Sequence, residues 1–142
     1  MIRALCKDDI DIICALYSTD FLDGWSKGQL LSAFDTNRFL AVGKFKDGKL
    51  VGVITVSLSV DDADLEGIVV AKDFRQQGFA TELFAFMEKS VKEQKKEKIF
   101  LEVRENNLPA INFYIKNGFK KISVRKNYYR DGENATVMVK EI

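Results

Sequence analysis

Apolar and polar residues change period several times along the chain, and each change marks an element. Ile2 to Leu5 reads as a short first strand. Asp8 then offers an N-cap for a helix carrying Ile10, Ile13, Leu16 and Tyr17 at helical spacing. Ser26 and Gln29 make an S-x-x-Q capping box ahead of Leu30, Leu31 and Phe34, which predicts a second short helix. Arg38 to Phe45 and Lys49 to Val60 read as strands joined by Asp47-Gly48, a dipeptide suited to the positive φ angles of a tight hairpin. In the second of these, Ile54, Val56, Leu58 and Val60 alternate with Thr55, Ser57 and Ser59. Asp61 to Asp64 reads as a turn into a strand from Leu65 to Val70, completing an antiparallel meander of sequential strands.

The period then lengthens. Leu83, Phe84, Met87 and Val91 predict an amphipathic helix over Phe79 to Glu93, followed by a strand from Ile99 to Arg104. Pro109 suits the first turn of a further helix, which Asn107 caps and Gly118 closes. Phe119 to Val124 and Thr136 to Val139 supply the last strands. The expected architecture is one mixed α/β sheet with helices packed on it, a single domain over residues 1–142.

Composition narrows the partners. Lys+Arg 22 against Asp+Glu 21 leaves a net charge of +1, too weak a field to favour nucleic acid or an anionic membrane surface. The basic run from Lys89 to Lys98 is diluted by Glu93 and Glu97 and reads as the solvated end of a helix. The apolar stretch Leu50 to Val60 falls short of the ~20 residues that span a bilayer. Lys7, Asp8 and Asp9 leave no room for a secretory apolar region, so a cytoplasmic protein without membrane or nucleic-acid partner is expected. Cys6 and Cys14 form no C-x-x-C pair and read as small hydrophobes. The chain has no histidine, the commonest metal ligand and neutral-pH base; no metal is expected, and proton chemistry falls to carboxylate, tyrosine, lysine, cysteine or water.

Arg75-Gln76-Gln77-Gly78-Phe79-Ala80 lies between the strand ending at Val70 and the helix starting near Phe79. The first amides of a helix have no partners within it, and with the helix dipole they favour a phosphate-type anion. Gly78 lets the backbone approach such a ligand closely, and Arg75 can add a point charge.

This string resembles the Q/R-x-x-G-x-G/A signature of the GNAT superfamily. Ile68-Val69-Val70, Leu101-Glu102-Val103-Arg104, Asn107, Ala110, Tyr114, Asn117-Gly118-Phe119, Asn127-Tyr128-Tyr129 and Asp131 to Ala135 extend the resemblance over nearly the whole chain. Within the superfamily they are similar to the N-terminal acetyltransferases, the bacterial ribosomal-protein-alanine N-acetyltransferases among them. The resemblance implies a mostly antiparallel central sheet with helices on both faces, and an enzyme that moves acetyl from acetyl-CoA to a protein N-terminal α-amine. A small-molecule amine or a lysine side chain is the alternative acceptor, and a non-catalytic coenzyme A-binding module a further one. It also implies that the strand before the cradle splays from its neighbour, so that backbone at Ile68, Val69 and Val70 meets the pantetheine arm. The amides of Gln76 to Ala80 would take the pyrophosphate, and Asn107 would contact the coenzyme farther down. Two features depart from the family pattern: Ala80 stands where glycine is commoner, and Asp23-Gly24 precedes Trp25-Ser26 where Phe-Pro is frequent.

Acetylation of an amine needs a base for the nitrogen's proton and an acid for the departing thiolate. Alternation along Ile99 to Arg104 places Phe100, Glu102 and Arg104 on one face. The resemblance makes Glu102 the base, acting directly or through water, and Tyr114 the acid; Glu66 is the rival base, and an ion pair with Arg104 or a lysine is the structural alternative for Glu102. Trp25, Tyr128 and Tyr129 would form the acceptor mouth, or else simply pack the surface of a hairpin.

Overall fold

The computed structural model describes residues 1–18 and 24–142. Strands β1 (Ile2–Ala4), β2 (Phe39–Lys46), β3 (Lys49–Leu58), β4 (Asp62–Val70), β5 (Lys98–Arg104), β6 (Lys120–Arg125) and β7 (Ala135–Glu141) form one sheet in the order β1-β2-β3-β4-β5-β7-β6. Every pairing is antiparallel except β4 with β5. Helices α1 (Ile10–Tyr17) and α2 (Lys27–Phe34) pack on one face, where Ile13, Leu16 and Leu30 meet Ala41 and Val53. On the other face α3 (Phe79–Glu93) and α4 (Leu108–Lys116) set Leu83, Met87 and Tyr114 against Val42, Ile54 and Val56. The expected mixed, mostly antiparallel sheet with helices on both faces is the observed one.

Three local expectations shift. Asp9, not Asp8, secures the start of α1: its carboxylate accepts from the Cys6 amide at 2.9 Å and from Arg3 at 2.9 and 3.0 Å, across a 3-10 turn at Lys7–Asp9. The turn expected over Asp61 to Asp64 closes earlier, because the Ser59 amide reaches the Asp62 carbonyl at 2.9 Å. Asp62 and Asp64 therefore belong to β4, and Val60 is left in the turn, fully open to solvent. Phe119 is taken into the core, so β6 begins at Lys120.

One irregularity in β4 matters for everything beyond it. Val56 of β3 faces Leu65, but Thr55 faces Gly67, so Glu66 is the extra residue of a β-bulge. The bulge flips the strand's parity: Ala63 and Leu65 pack on the α3 face, and after it Ile68 and Val70 do the same. Pairing with β5 runs from Asp62↔Lys98 to Leu65↔Leu101 and stops there. Past Leu101, β5 stays with β7 while β4 stays with β3. The two parallel strands thus separate at Glu66 and Glu102.

The Arg3 guanidinium beside Asp9 is the main reason that its carboxyl is lowered from the usual carboxylate range to about 2. A lowered folded-state pKa gives stability that is fully present above about pH 4 and is lost as pH falls through 2. We expect Asp9→Asn to destabilise the protein at pH 7 and to flatten the acid limb of stability, measured by urea unfolding at intervals from pH 7 to pH 2.

Candidate active site

The separation of β4 from β5 opens a cleft of about 1130 Å³, above the ~300–1,000 Å³ usual for compact small ligands. Its β4 wall carries Ile68, Val69 and Val70, and its far wall Glu102, Asn107 and Tyr114. The β5-facing edge of β4 past Leu65 has no strand partner among the described residues.

At the upper end the chain turns from β4 into α3 with two left-handed residues, Gln76 (φ 62°) and Gly78 (φ 82°). A backbone bond runs from the Glu82 amide to the Gly78 carbonyl at 3.1 Å. The amides before it, Gln76 to Ala80, have no carbonyl partner among the described residues. Gly78 caps the helix, and a Cβ added to it would meet nothing within 4 Å, so the protein alone demands glycine for its φ rather than for space. Arg75 donates from Nε to the Val70 carbonyl at 3.0 Å, tying the loop back to β4. Gln77 is not among the lining residues; its side-chain oxygen accepts from Lys46 at 3.5 Å. Lys44 lies over the Phe79 ring at 4.7 Å, so β2 brings two cations to the start of α3.

Tyr114 sits on α4, which Asn107 caps by accepting from the Ala110 amide at 3.3 Å. Its ring is held edge-on by Phe113 at 5.6 Å and Phe119 at 5.7 Å. Burial, with a smaller effect from Tyr129, pushes its phenol up to about 12, so it stays protonated across the neutral range. Tyr114 is buried among core aromatics and at the same time lines the cleft.

Carboxylates crowd the fork. Glu102 pairs with Arg125 at 3.3 Å and not with Arg104, which bonds Asp131 at 2.8 Å and Glu133 at 3.4 Å. Burial raises the Glu66 carboxyl; a hydrogen bond from Ser57 opposes this, while Asp64 and Glu102 add to it. Burial likewise raises Asp64, helped by Glu102 and Asp62 and opposed by Arg125. Tyr128 and Tyr129 meet edge to face at 5.0 Å, and both line the cleft. The Tyr128 phenol is raised chiefly by its hydrogen bond to Glu102. Arg104 stacks over Tyr129 at 4.2 Å. Trp25 closes the α1 side and donates from its indole to Thr55 at 3.2 Å. Gly24 is described here, whereas Asp23, its partner in the departure from the family pattern, lies outside the described residues.

Tyr17, Asp64, Gly67 and Arg125 are among the lining residues to which the sequence reading gave no site role. Asp62, Ala63, Asp64, Leu65 and Glu66 alternate with period two, a pattern that could have placed Asp64 and Glu66 together. Nothing local marks Arg125, which reaches Glu102 only because β7 lies between β5 and β6.

The model of the acetyltransferase (GNAT) family matches residues 10–119. A ribosomal protein bS18-alanine N-acetyltransferase of Haemophilus ducreyi is 29% identical over 142 residues, covering 97% of each chain. An N-alpha-acetyltransferase of Saccharolobus solfataricus is 45% identical over 76 residues, 53% of this chain and 46% of that protein. The crystal structure of the ribosomal-protein-S18-alanine N-acetyltransferase from Escherichia coli superposes with a TM-score of 0.92 at 27% identity, covering 100% of this chain and 93% of that one. Matched over most of its length by one family model and over all of it by a solved relative, the chain belongs to the acetyltransferase (GNAT) family and is an N-acetyltransferase.

Proposed function

We propose that the enzyme transfers acetyl from acetyl-CoA to the α-amine at the N-terminus of a protein, a ribosomal protein being the first candidate, in the cytoplasm. The observation that carries the reading is the fork itself. An open strand edge and a run of unpartnered amides lie on one side of it, and carboxylates with a pair of tyrosines on the other.

The residues present fit the coenzyme. Gln76, Gly78, Phe79 and Ala80 offer amides and the positive end of α3 to a pyrophosphate. Arg75 keeps further donors beyond the one spent on Val70. Backbone of Ile68, Val69 and Val70 is available to an amide-bearing arm, with Asn107 beyond it. When bound, acetyl-CoA supplies the acetyl thioester. Tyr114, protonated near neutral pH, is the proton donor to the departing sulfur. Glu102 takes the proton from the acceptor nitrogen, directly or through water, and Trp25, Tyr128 and Tyr129 hold the acceptor chain. Glu66 is a second candidate for the base, favoured by the raised carboxyl that burial gives it.

The acceptor follows from proton energetics. An α-amine, with pKa about 7.7–8.0, is about one-tenth neutral at pH 7, whereas lysine near 10.4 must lose its proton at a further cost of about 3.5 kcal/mol. A carboxylate suffices for the first and strains for the second. Carboxylates at the fork also attract the cationic amine before it is deprotonated.

Four outcomes test the reading. Gly78→Val places a β-branched residue at φ 82° and should weaken acetyl-CoA binding more than about tenfold in calorimetry; unchanged affinity in a folded variant would remove the cradle. Tyr114→Phe should lower kcat by about 10²- to 10⁴-fold with coenzyme affinity nearly constant. Glu102→Gln should abolish the acidic limb of the rate profile, and if Glu66→Gln does so instead, the base is Glu66. For a peptide carrying a free α-amine and an internal lysine, mass spectrometry should find the acetyl group on the terminus. Label chiefly on lysine, or equal turnover of free polyamines, would overturn the terminal-amine reading and leave the transferase standing.

A further inference from the structure

Only two polar residues among the described ones are buried in the core, Thr55 and Thr136. Thr55 stands in the middle of β3 with 0% exposure, where valine would fill the same volume with no hydroxyl to satisfy. The hydroxyl has a use. It accepts the indole N–H of Trp25 at 3.2 Å. Trp25 belongs to neither helix nor strand; it precedes Ser26, the N-cap of α2. Its ring also meets Phe39 edge-on at 5.3 Å and packs against the core on the α1 and α2 side.

Thr55 also lies directly across from Gly67, immediately beyond the bulge that opens the cleft. A Cβ built on Gly67 would point to a space 3.7 Å from the Tyr17 hydroxyl and 3.9 Å from that of Thr55. Burial raises the Tyr17 phenol well above its ordinary value, and its hydroxyl faces the same small space beside Gly67 as the Thr55 hydroxyl. Trp25 is therefore tied to one buried hydroxyl that lines the same space as the Tyr17 hydroxyl, and both rings line the cleft.

We propose that Thr55 is a positioning residue for the acceptor: through Trp25 it sets the wall against which the acceptor amine's own chain is seated, without touching the coenzyme. The proposal rests on the acetyltransferase reading of the cleft, and deepens it at the acceptor side. A hydroxyl that serves only the fold would give up stability on removal and leave kinetic parameters alone; a positioning hydroxyl changes the acceptor KM selectively.

The test uses Thr55→Val and Thr55→Ser in the full chain, with a peptide bearing a free α-amine, or spermidine if the wild type prefers it. Failure of the terminal-amine reading then appears in the wild type, and failure of this proposal in the variants. Thr55→Val should raise the acceptor KM about fivefold, the worth of one ordinary hydrogen bond, with the acetyl-CoA KM within about twofold, and Thr55→Ser should restore it. Trp25 is the one tryptophan of the chain, so its emission reports the same event. Emission should shift to the red in Thr55→Val and respond less to added acceptor. Should Thr55→Val fail to fold, Trp25→Phe removes the donor while keeping a ring and should raise the acceptor KM alike. An unchanged acceptor KM in folded Thr55→Val or in Trp25→Phe, equal changes in both KM values, or no rescue by serine would overturn the proposal.

Discussion

The active cleft depends on one residue too many in a strand. Two parallel strands in the middle of a sheet ordinarily satisfy each other's backbone along their whole length, and an unpaired interior edge is costly. The bulge at Glu66 falls where the ladder with β5 ends, at Leu65↔Leu101. Each strand keeps its other neighbour, so the sheet survives while an edge becomes free inside the protein. The same bulge restores the apolar face, since Ile68 and Val70 rejoin the core of Ala63 and Leu65. The fold thus exposes backbone to a ligand without exposing its core.

Electrostatics on the two sides of the fork differ in kind. Around α3 the attraction for anions comes from oriented amides with Arg75 of the loop beside them, while Lys44 of β2 is paired with Glu82 at 3.1 Å. Near Glu102 three carboxylates compete for solvation, and Arg125 relieves Asp64 as well as pairing with Glu102. Under the proposed reading an anionic donor meets the first and a cationic acceptor the second; Tyr114, kept neutral by burial, lines the same cleft.

Much of this was legible before any coordinates. The change from period two to helical spacing located β4, α3 and β5, and S-x-x-Q at Ser26 gave the cap that the structure has, Gln29 amide to Ser26 hydroxyl at 3.1 Å. The cradle was read from the whole string Arg75 to Ala80 and its resemblance to the family signature, because Gly78 alone fits the turn geometry of a helix cap equally well. The bulge was not, because D-A-D-L-E-G-I-V-V reads as ordinary alternation; only the partner strand's register reveals the extra residue. Thr55 was misleading for a related reason. With Ser57 and Ser59 it looks like a solvated face, yet α1 and α2 cover that part of the sheet. Arg125 depends on the insertion of β7 between β5 and β6, a topological choice that no local pattern encodes.

The central claim is that the broken ladder between β4 and β5, continued by the start of α3, is where the acetyl donor binds. Amide NMR during titration with acetyl-CoA tests it most directly. The account predicts that the largest shifts fall on Gln76 to Ala80 and on Ile68 to Val70, with β1 and β2 little changed. Saturable binding with the large shifts elsewhere, and these amides unmoved, would contradict it.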